Sequence, residues 1–284
     1  MRIANVSGRS ALLTDGGWAD IERASRGLFP ADPQRLYERW DEFRRWSAQA
    51  RPDADVVPTE STLGSPAPHP RQLLAIGLNY RDHAQESGFA LPEHPPVFTK
   101  FTSSITGPYG DITLPDGNVD WEVELVVVVG RHAWRVSEER AWEYVAGLTV
   151  GQDLSERDLQ LSGPAPQFSL GKSHPGFGPM GPWLVTPDEL DDPDDLELGC
   201  AIGGEEMQKG RTADLLFPVS ALIARLSAVL PLLPGDVIFT GTPAGVGLGR
   251  RPQRFLADGD ELVSYVEGIG EMRHRLVRDT GNAR

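Results

Sequence analysis

The stretch DWEVELVVVVG, residues 120–130, restricts the fold more than any other part of the chain. Leu125 to Val129 are five consecutive apolar residues, which predicts a strand buried on both faces. Glu122 and Glu124 stand immediately before them in the same extended run. Side chains alternate along a strand, so the two carboxylates share one face, with backbones roughly 7 Å apart. Two like charges on a buried face repel and lose hydration unless a positive charge sits between them. A divalent cation is the compact solution, because Mg²⁺ and Ca²⁺ take oxygen ligands and Mg²⁺ keeps waters that a substrate can displace. A wet sheet edge, with each Glu paired to Lys or Arg, is the equal alternative on this stretch alone.

A third acid is available in GLTVGQDLSERDLQ, where Asp153 follows a predicted strand. Arg157 and Gln160 come four and seven residues later, on one face of a helical turn. Arg157 can grip a carboxylate with two parallel hydrogen bonds and Gln160 can donate to an oxyanion. Taken alone, Arg157 reads first as a surface salt bridge. Lys172 lies in a Gly-flanked turn, QFSLGKSHPGFGPMGPW. Its GKS is not a phosphate-binding loop, because Pro166 stands where that motif needs glycine. A lysine beside a metal site suits a carboxylate or enolate oxygen.

In GLNYRDHAQESG, Asp82 can cap a one-turn helix that Gly88 ends, and His83 and Glu86 are three apart on one face. An imidazole held by a carboxylate is a better base, the arrangement that activates water. Isolated, such a pair reads first as structural. Thr242 sits in FTGTPAGVGLG, a Gly- and Pro-rich loop after a strand, where backbone can approach a ligand closely. The loop lacks GxGxxG, so a dinucleotide fold is excluded.

The rest of the chain predicts a mainly β, α+β protein. Short apolar runs separated by Gly and Pro clusters predict many strands and few helices. Asp32 and Pro33 open a helix whose Leu36, Trp40, Phe43 and Trp46 make one apolar face. A second helix is predicted in PVSALIARLSAVL, with Val219, Leu222, Ile223, Leu226, Val229 and Leu230 on one side. Residues 51–70 read as a linker, which divides the chain into a small N-terminal domain with linker, 1–65, and a catalytic body, 66–284. The seven acids from Asp188 to Glu197 read as a solvated turn. The net charge of −14 argues against a nucleic-acid or anionic-membrane partner. Cys200 is the only cysteine, so neither an intramolecular disulfide nor a cysteine zinc site is possible. With no signal-like start and no apolar run of spanning length, the expected location is the cytoplasm.

GLNYRDHAQESG, PPVFTKFTSSITGP, DWEVELVVVVG, QDLSERDLQ, LGKS…GPW and GDVIFTGTPAGVG occur in this order over roughly residues 70–270. In that order they resemble the fumarylacetoacetate hydrolase family. The resemblance implies a mixed β-roll catalytic domain, a homodimer, and Mg²⁺ or Mn²⁺ on Glu122, Glu124 and Asp153. It implies a catalytic His83–Glu86 dyad on a lid segment and a substrate-orienting Lys172. It also implies substrate contacts from Arg157, Gln160 and Thr242. Animal members carry a fourth acidic ligand where Asn79 stands here, a departure shared with many bacterial members. Phe98, Lys100 and the loop SHPGFGPMG, with His174 and Phe177, are the candidates for substrate side-chain specificity. The implied substrate is a small 2-oxo or 2,4-dioxo acid, and the implied reaction is carbon–carbon hydrolysis of an acylpyruvate. Isomerisation or hydration of unsaturated 2-oxo acids and oxaloacetate decarboxylation are possible on the same site. A non-catalytic metal- or ligand-binding relative is the alternative of another class.

Overall fold

The computed structural model describes residues 1–86 and 90–278. A large central sheet runs in the order Gly17–Asp20, Arg9–Thr14, Arg2–Val6, Gly178–Val185, Val145–Gln152, Val123–Val129, Val237–Phe239, Leu73–Ile76, Val97–Thr99. All neighbours on this path are antiparallel except Val237–Phe239 and Leu73–Ile76. A second sheet, Glu205–Arg211, Glu197–Ile202, Glu261–Val266, Gly270–Arg278, Tyr109–Leu114, packs against it. This is a strand-rich α/β fold with a small N-terminal region, in keeping with the expected class.

The valine strand explains the layering. Every residue of Val123–Val129 is buried. Val123, Leu125, Val127 and Val129 point into the core shared with Leu198, Leu262 and Leu276 of the second sheet. Val126 and Val128 point the other way, into a core with Ile3, Leu12, Phe29, Leu36, Trp40 and Phe43. A strand apolar on both sides needs a cover on each, and the N-terminal region supplies the second one. Residues 1–65 are therefore joined to the body by one sheet and one core. The predicted aromatic face is core packing, with Phe29, Phe43 and Trp46 in mutual ring contact. Asp32 accepts from the amides of Gln34 and Arg35, as a cap should. The first turn is Pro33–Leu36, a tight turn over Tyr37–Arg39 follows, and the helix resumes over Trp40–Gln49.

The second predicted helix spans Val219–Ser227, shorter than its apolar pattern, and leaves Val229 exposed past its end. One strand had no apolar signal: Glu205–Arg211, EEMQKGR, is a sheet edge, where charged side chains are the normal composition. The helix carrying His83 spans Arg81–Glu86, and the Gly88 expected to end it lies outside the described residues. Among the described residues no helix is long and apolar enough to cross a membrane.

Candidate active site

The three acids meet where two central strands begin and end. Val123 pairs with Gln152 and Glu124 with Gly151. The chain then turns, and the Asp153 amide donates to the Glu122 carbonyl at 2.9 Å. A Cβ at Gly151 would lie 2.4 Å from Val126 Cγ2 and 2.7 Å from the Phe239 ring, so only glycine fits opposite Glu124. Glu122, Glu124 and Asp153 are all buried, and one carboxylate oxygen from each lies within 4.8 Å of the others.

Their compensation is unequal. Lys172 Nζ donates to Glu122 at 2.8 Å and to Asp153 at 2.6 Å, while Arg157 Nη2 lies 2.7 Å from Glu122. Lys100 Nζ donates to the other Asp153 oxygen at 2.6 Å. Glu124 accepts a backbone bond from Gly241 at 2.7 Å and has no ion pair among the described residues. Burial by itself raises the Glu122 carboxyl, but Lys172 and Arg157 overcome it and hold the group at about 2. Burial, then the Asp153 and Glu122 charges, drive the Glu124 carboxyl well above the ordinary range. The residues fit a divalent cation: three hard oxygen donors, one of which no cationic side chain neutralises.

The positions of Lys172 and Arg157 follow from a close backbone approach. Lys172 follows the turn Phe168–Gly171, which packs on the turn Arg157–Gln160. A Cβ at Gly171 would meet Gln160 N and Glu156 O at 2.7 Å, so glycine lets the two turns touch and the two cations converge. Arg157 is buried, not the surface pair its sequence allowed. Its Nε and Nη2 bind Asp120 at 2.9 and 2.8 Å, and Nη1 donates to Gln160 at 2.8 Å. Asp120 also accepts from the amides of Gly247 (2.7 Å) and Leu248 (2.9 Å). It thereby ties a distant loop to the arginine. Sequence reasoning passed over Asp120, although it shares the alternation of Glu122 and Glu124.

His83 and Glu86 open onto the same cavity, about 400 Å³ in volume, as Glu122, Lys172, Arg157 and Gln160. His83 Nδ1 lies 3.6 Å from Glu86, longer than a hydrogen bond, and has no other partner among the described residues. Glu86 is anchored by the Gly245 amide at 3.1 Å. Burial raises its carboxyl, but His83, Gly245 and Arg250 outweigh this and hold it below the usual range.

Phe98 lines the cavity, edge-on to Phe168, with Lys172 Nζ 5.1 Å from its ring centre. Thr242 also lines it, but its hydroxyl donates to the Val123 carbonyl (2.8 Å) and accepts from Gln208 (2.7 Å). Lys100 departs from its expected place at the substrate side chain. Its amide continues the sheet pairing to the Leu73 carbonyl, which turns the side chain inward. The ammonium sits behind Asp153 and the Lys172 carbonyl, outside the cavity lining. His174 and Phe177 are also corrected: Phe177 is a fully buried core residue, the His174 ring stacks on it at 5.0 Å, and neither lines the cavity. Asn79 is a clamp, donating to the Phe217 and Thr240 carbonyls and accepting from the Phe217 amide. Arg251 and Gln253 line the cavity without having been singled out by any sequence pattern.

Residues 72–277 match the fumarylacetoacetate (FAA) hydrolase C-terminal family, and the chain belongs to that family. The crystal structure of a Mycobacterium smegmatis protein named "putative HpcE protein" is 61% identical, with a TM-score of 0.94 over 98% of this chain and 99% of that one. The human mitochondrial protein named oxaloacetate tautomerase FAHD2A is 42% identical over 225 residues, 78% of this chain and 72% of its own. Maleylpyruvate hydrolase from Sphingobium sp. SYK-6, solved with manganese(II) and pyruvate, is 28% identical. Its TM-score is 0.81 over 99% of this chain and 100% of that one. The protein is thus a fumarylacetoacetate hydrolase family enzyme with a buried acidic site suited to a divalent metal.

Proposed function

We propose that this enzyme hydrolyses a carbon–carbon bond in a 2,4-dioxo acid of the acylpyruvate type, with Mg²⁺ or Mn²⁺ held by Glu122, Glu124 and Asp153. The observation that carries the reading is the convergence of a His–carboxylate pair, a lysine and an arginine on one cavity beside the acidic cluster. When bound, the cation supplies Lewis acidity to the oxygens of an oxo acid.

The donors left over suit such a ligand. Lys172 has three N–H bonds and gives two to Glu122 and Asp153, leaving one for the 2-oxo oxygen, where charge develops. Gln160 accepts from Arg157, and its amide N–H groups, without a partner among the described residues, can meet the substrate carboxylate. His83, its charge supported by Glu86, takes a proton from water. The hydroxide adds to the 4-oxo carbon, the C3–C4 bond breaks with its electrons going to C3, and His83 returns the proton to C3. Substrate plus water thus gives pyruvate and one carboxylic acid.

A second reading, keto–enol tautomerisation or isomerisation of a 2-oxo acid, is favoured by the 42% identity to the human tautomerase. It needs His83 to move a proton between the enol oxygen and C3, without attack by water. Exposed Phe101, Leu159, Leu161 and Leu170, on segments flanking the cavity, support a homodimer as part of the proposal, checked by sedimentation.

The deciding experiment offers acylpyruvate and enol oxaloacetate to the protein in ¹⁸O-water, with Mg²⁺ or chelator. Hydrolysis yields one pyruvate per enol consumed and label in the released acid. Loss of enol without pyruvate or label selects the tautomerase reading. No turnover of either, with metal bound, sinks both and leaves a binding protein.

A further inference from the structure

The cavity has three cationic side chains in its lining, Arg157, Lys172 and Arg251. The first two are buried and bonded to carboxylates. Arg251 is exposed and has no carboxylate partner among the described residues. Its Nη1 donates to the Leu248 and Arg250 carbonyls at 3.5 and 3.0 Å, which pins the group to its own loop. The Nε–Nη2 edge, the fork that fits a carboxylate, is left without a partner among the described residues. Gln253 is fastened to the same Leu248 carbonyl at 3.1 Å and also lines the cavity.

Leu248 is a hub. Its amide donates to Asp120, which holds Arg157, and its carbonyl holds Arg251 and Gln253. The free arginine is therefore indexed to the inner anion site through two side chains and one peptide. Burial grades the lining in the same direction: Glu122 and Lys172 are buried, Phe98 and Leu248 half-buried, Arg251 and Gln253 exposed. If compact, a 400 Å³ cavity is roughly 9 Å across.

We infer that Arg251, assisted by Gln253, is a specificity-determining group that binds a second carboxylate at the far end of the substrate. The chain then selects 2-oxo diacids over 2-oxo acids with neutral tails. The inference rests on the 2-oxo-acid reading above and adds to it the charge of the distal end. An unpaired guanidinium at the mouth also favours entry of an anion into a chain whose net charge is −14.

The test compares 2-oxoadipate with 2-oxohexanoate, which have the same chain length and differ only in a terminal carboxylate or methyl. Calorimetry on the Mg²⁺-loaded protein reads affinity without turnover. The wild type is expected to prefer 2-oxoadipate by roughly tenfold or more, the scale of one charge-assisted contact. Arg251→Ala is expected to bring the preference close to one, and Arg251→Lys to keep part of it. Binding of both acids without preference, or a preference that survives Arg251→Ala, overturns the inference while leaving the 2-oxo-acid reading intact. Failure of both acids to bind the wild type overturns that reading, and the inference with it.

Discussion

At and behind the inner wall of the cavity, Asp120, Glu122 and Asp153 are bonded to Lys100, Arg157 and Lys172, all six buried, with Glu122, Arg157 and Lys172 in the lining. At the rim, His83 and Glu86 stand 3.6 Å apart without a hydrogen bond, and Arg251 lines the cavity with no carboxylate partner among the described residues. The wall has assembled its electrostatics before any substrate arrives, at the expense of desolvating six charges. The rim holds its groups near one another but leaves them to be completed by what binds. On the proposed mechanism, one region sets where charge is stabilised, and the other sets what enters and when the proton moves. Glu124 is the exception, buried among acids with the Gly241 amide as its one hydrogen-bond partner among the described residues.

Removing the central cation of the wall has the largest expected effect. Lys172→Ala leaves Glu122 and Asp153 buried with one cationic partner each, Arg157 and Lys100. Breaking a buried pair costs about 3–5 kcal/mol, and this is expected in denaturant unfolding with chelator present. Turnover is expected to fall by roughly 10²–10³. Wild-type metal-free stability in this variant would mean that the wall is held by packing and not by its ion pairs. The rim should behave differently. His83→Ala is expected to lower kcat by roughly 10²–10⁴ while calorimetric Mg²⁺ affinity stays unchanged. A loss of metal binding in that variant would erase the division between the two regions.

Glu124→Gln sharpens the comparison inside the wall, because its sign depends on the metal. The Glu124 carboxyl is raised above its ordinary value of 4.5 by burial and by Asp153 and Glu122. The folded state therefore holds that proton more tightly than the unfolded chain. Metal-free stability falls as pH rises from 4.5 through the folded value. Glutamine removes this decline, so in chelator near neutral pH the variant is expected to be more stable than wild type. In Mg²⁺ the order reverses, with ion affinity down by roughly 100-fold. Glu122, held at about 2, has the opposite sign. Its stabilisation is present above 4.5 and lost as pH falls toward 2, so Glu122→Gln destabilises the metal-free protein near neutral pH. Unfolding curves across pH, with and without metal, check all of this, and parallel behaviour of the two variants would refute the unequal compensation.

The acidic cluster and the His83–Glu86 pair were readable in the sequence and the Arg251–Gln253 loop was not, for a physical reason. Glu122, Glu124 and Asp153 are next to strands whose alternation and ends are local properties of the chain. Asp120 belonged to the same alternation and was passed over. Lys100 was grouped with Phe98, two residues earlier, but its ammonium is drawn behind the site by Asp153 and the Lys172 carbonyl, partners far away in the chain. Arg251 and Gln253 lie in an irregular loop with no period. Their place in the cavity depends on Asp120, more than a hundred residues away in the chain. The loop of residues 173–181 was the mirror case, rich in glycine like a binding loop yet closing the core with Phe177. The linker-like composition of 51–70 marked off a small N-terminal domain, and the two-sided valine strand is where its side chains share a core with the body.

The smallest effect isolates the rim geometry. Gly249 lines the cavity, and a Cβ built on it would come within 2.4 Å of Glu86 Cγ and Cδ. Both contacts are to the outer part of a flexible side chain, so Gly249→Ala should move the Glu86 carboxylate and spare the backbone. Stability is expected to stay within about 0.5 kcal/mol. Glu86 would lose part of its hold on the Gly245 amide and on His83, and kcat is expected to fall by about tenfold or less, with KM little changed. Arg251 lies two residues further on, so the preference between 2-oxoadipate and 2-oxohexanoate serves as an internal control. A drop in kcat with that preference intact assigns the effect to the dyad. A lost preference with unaltered kcat would show that residue 249 acts by shifting the Arg251 loop, and that the two halves of the rim are one mechanical unit.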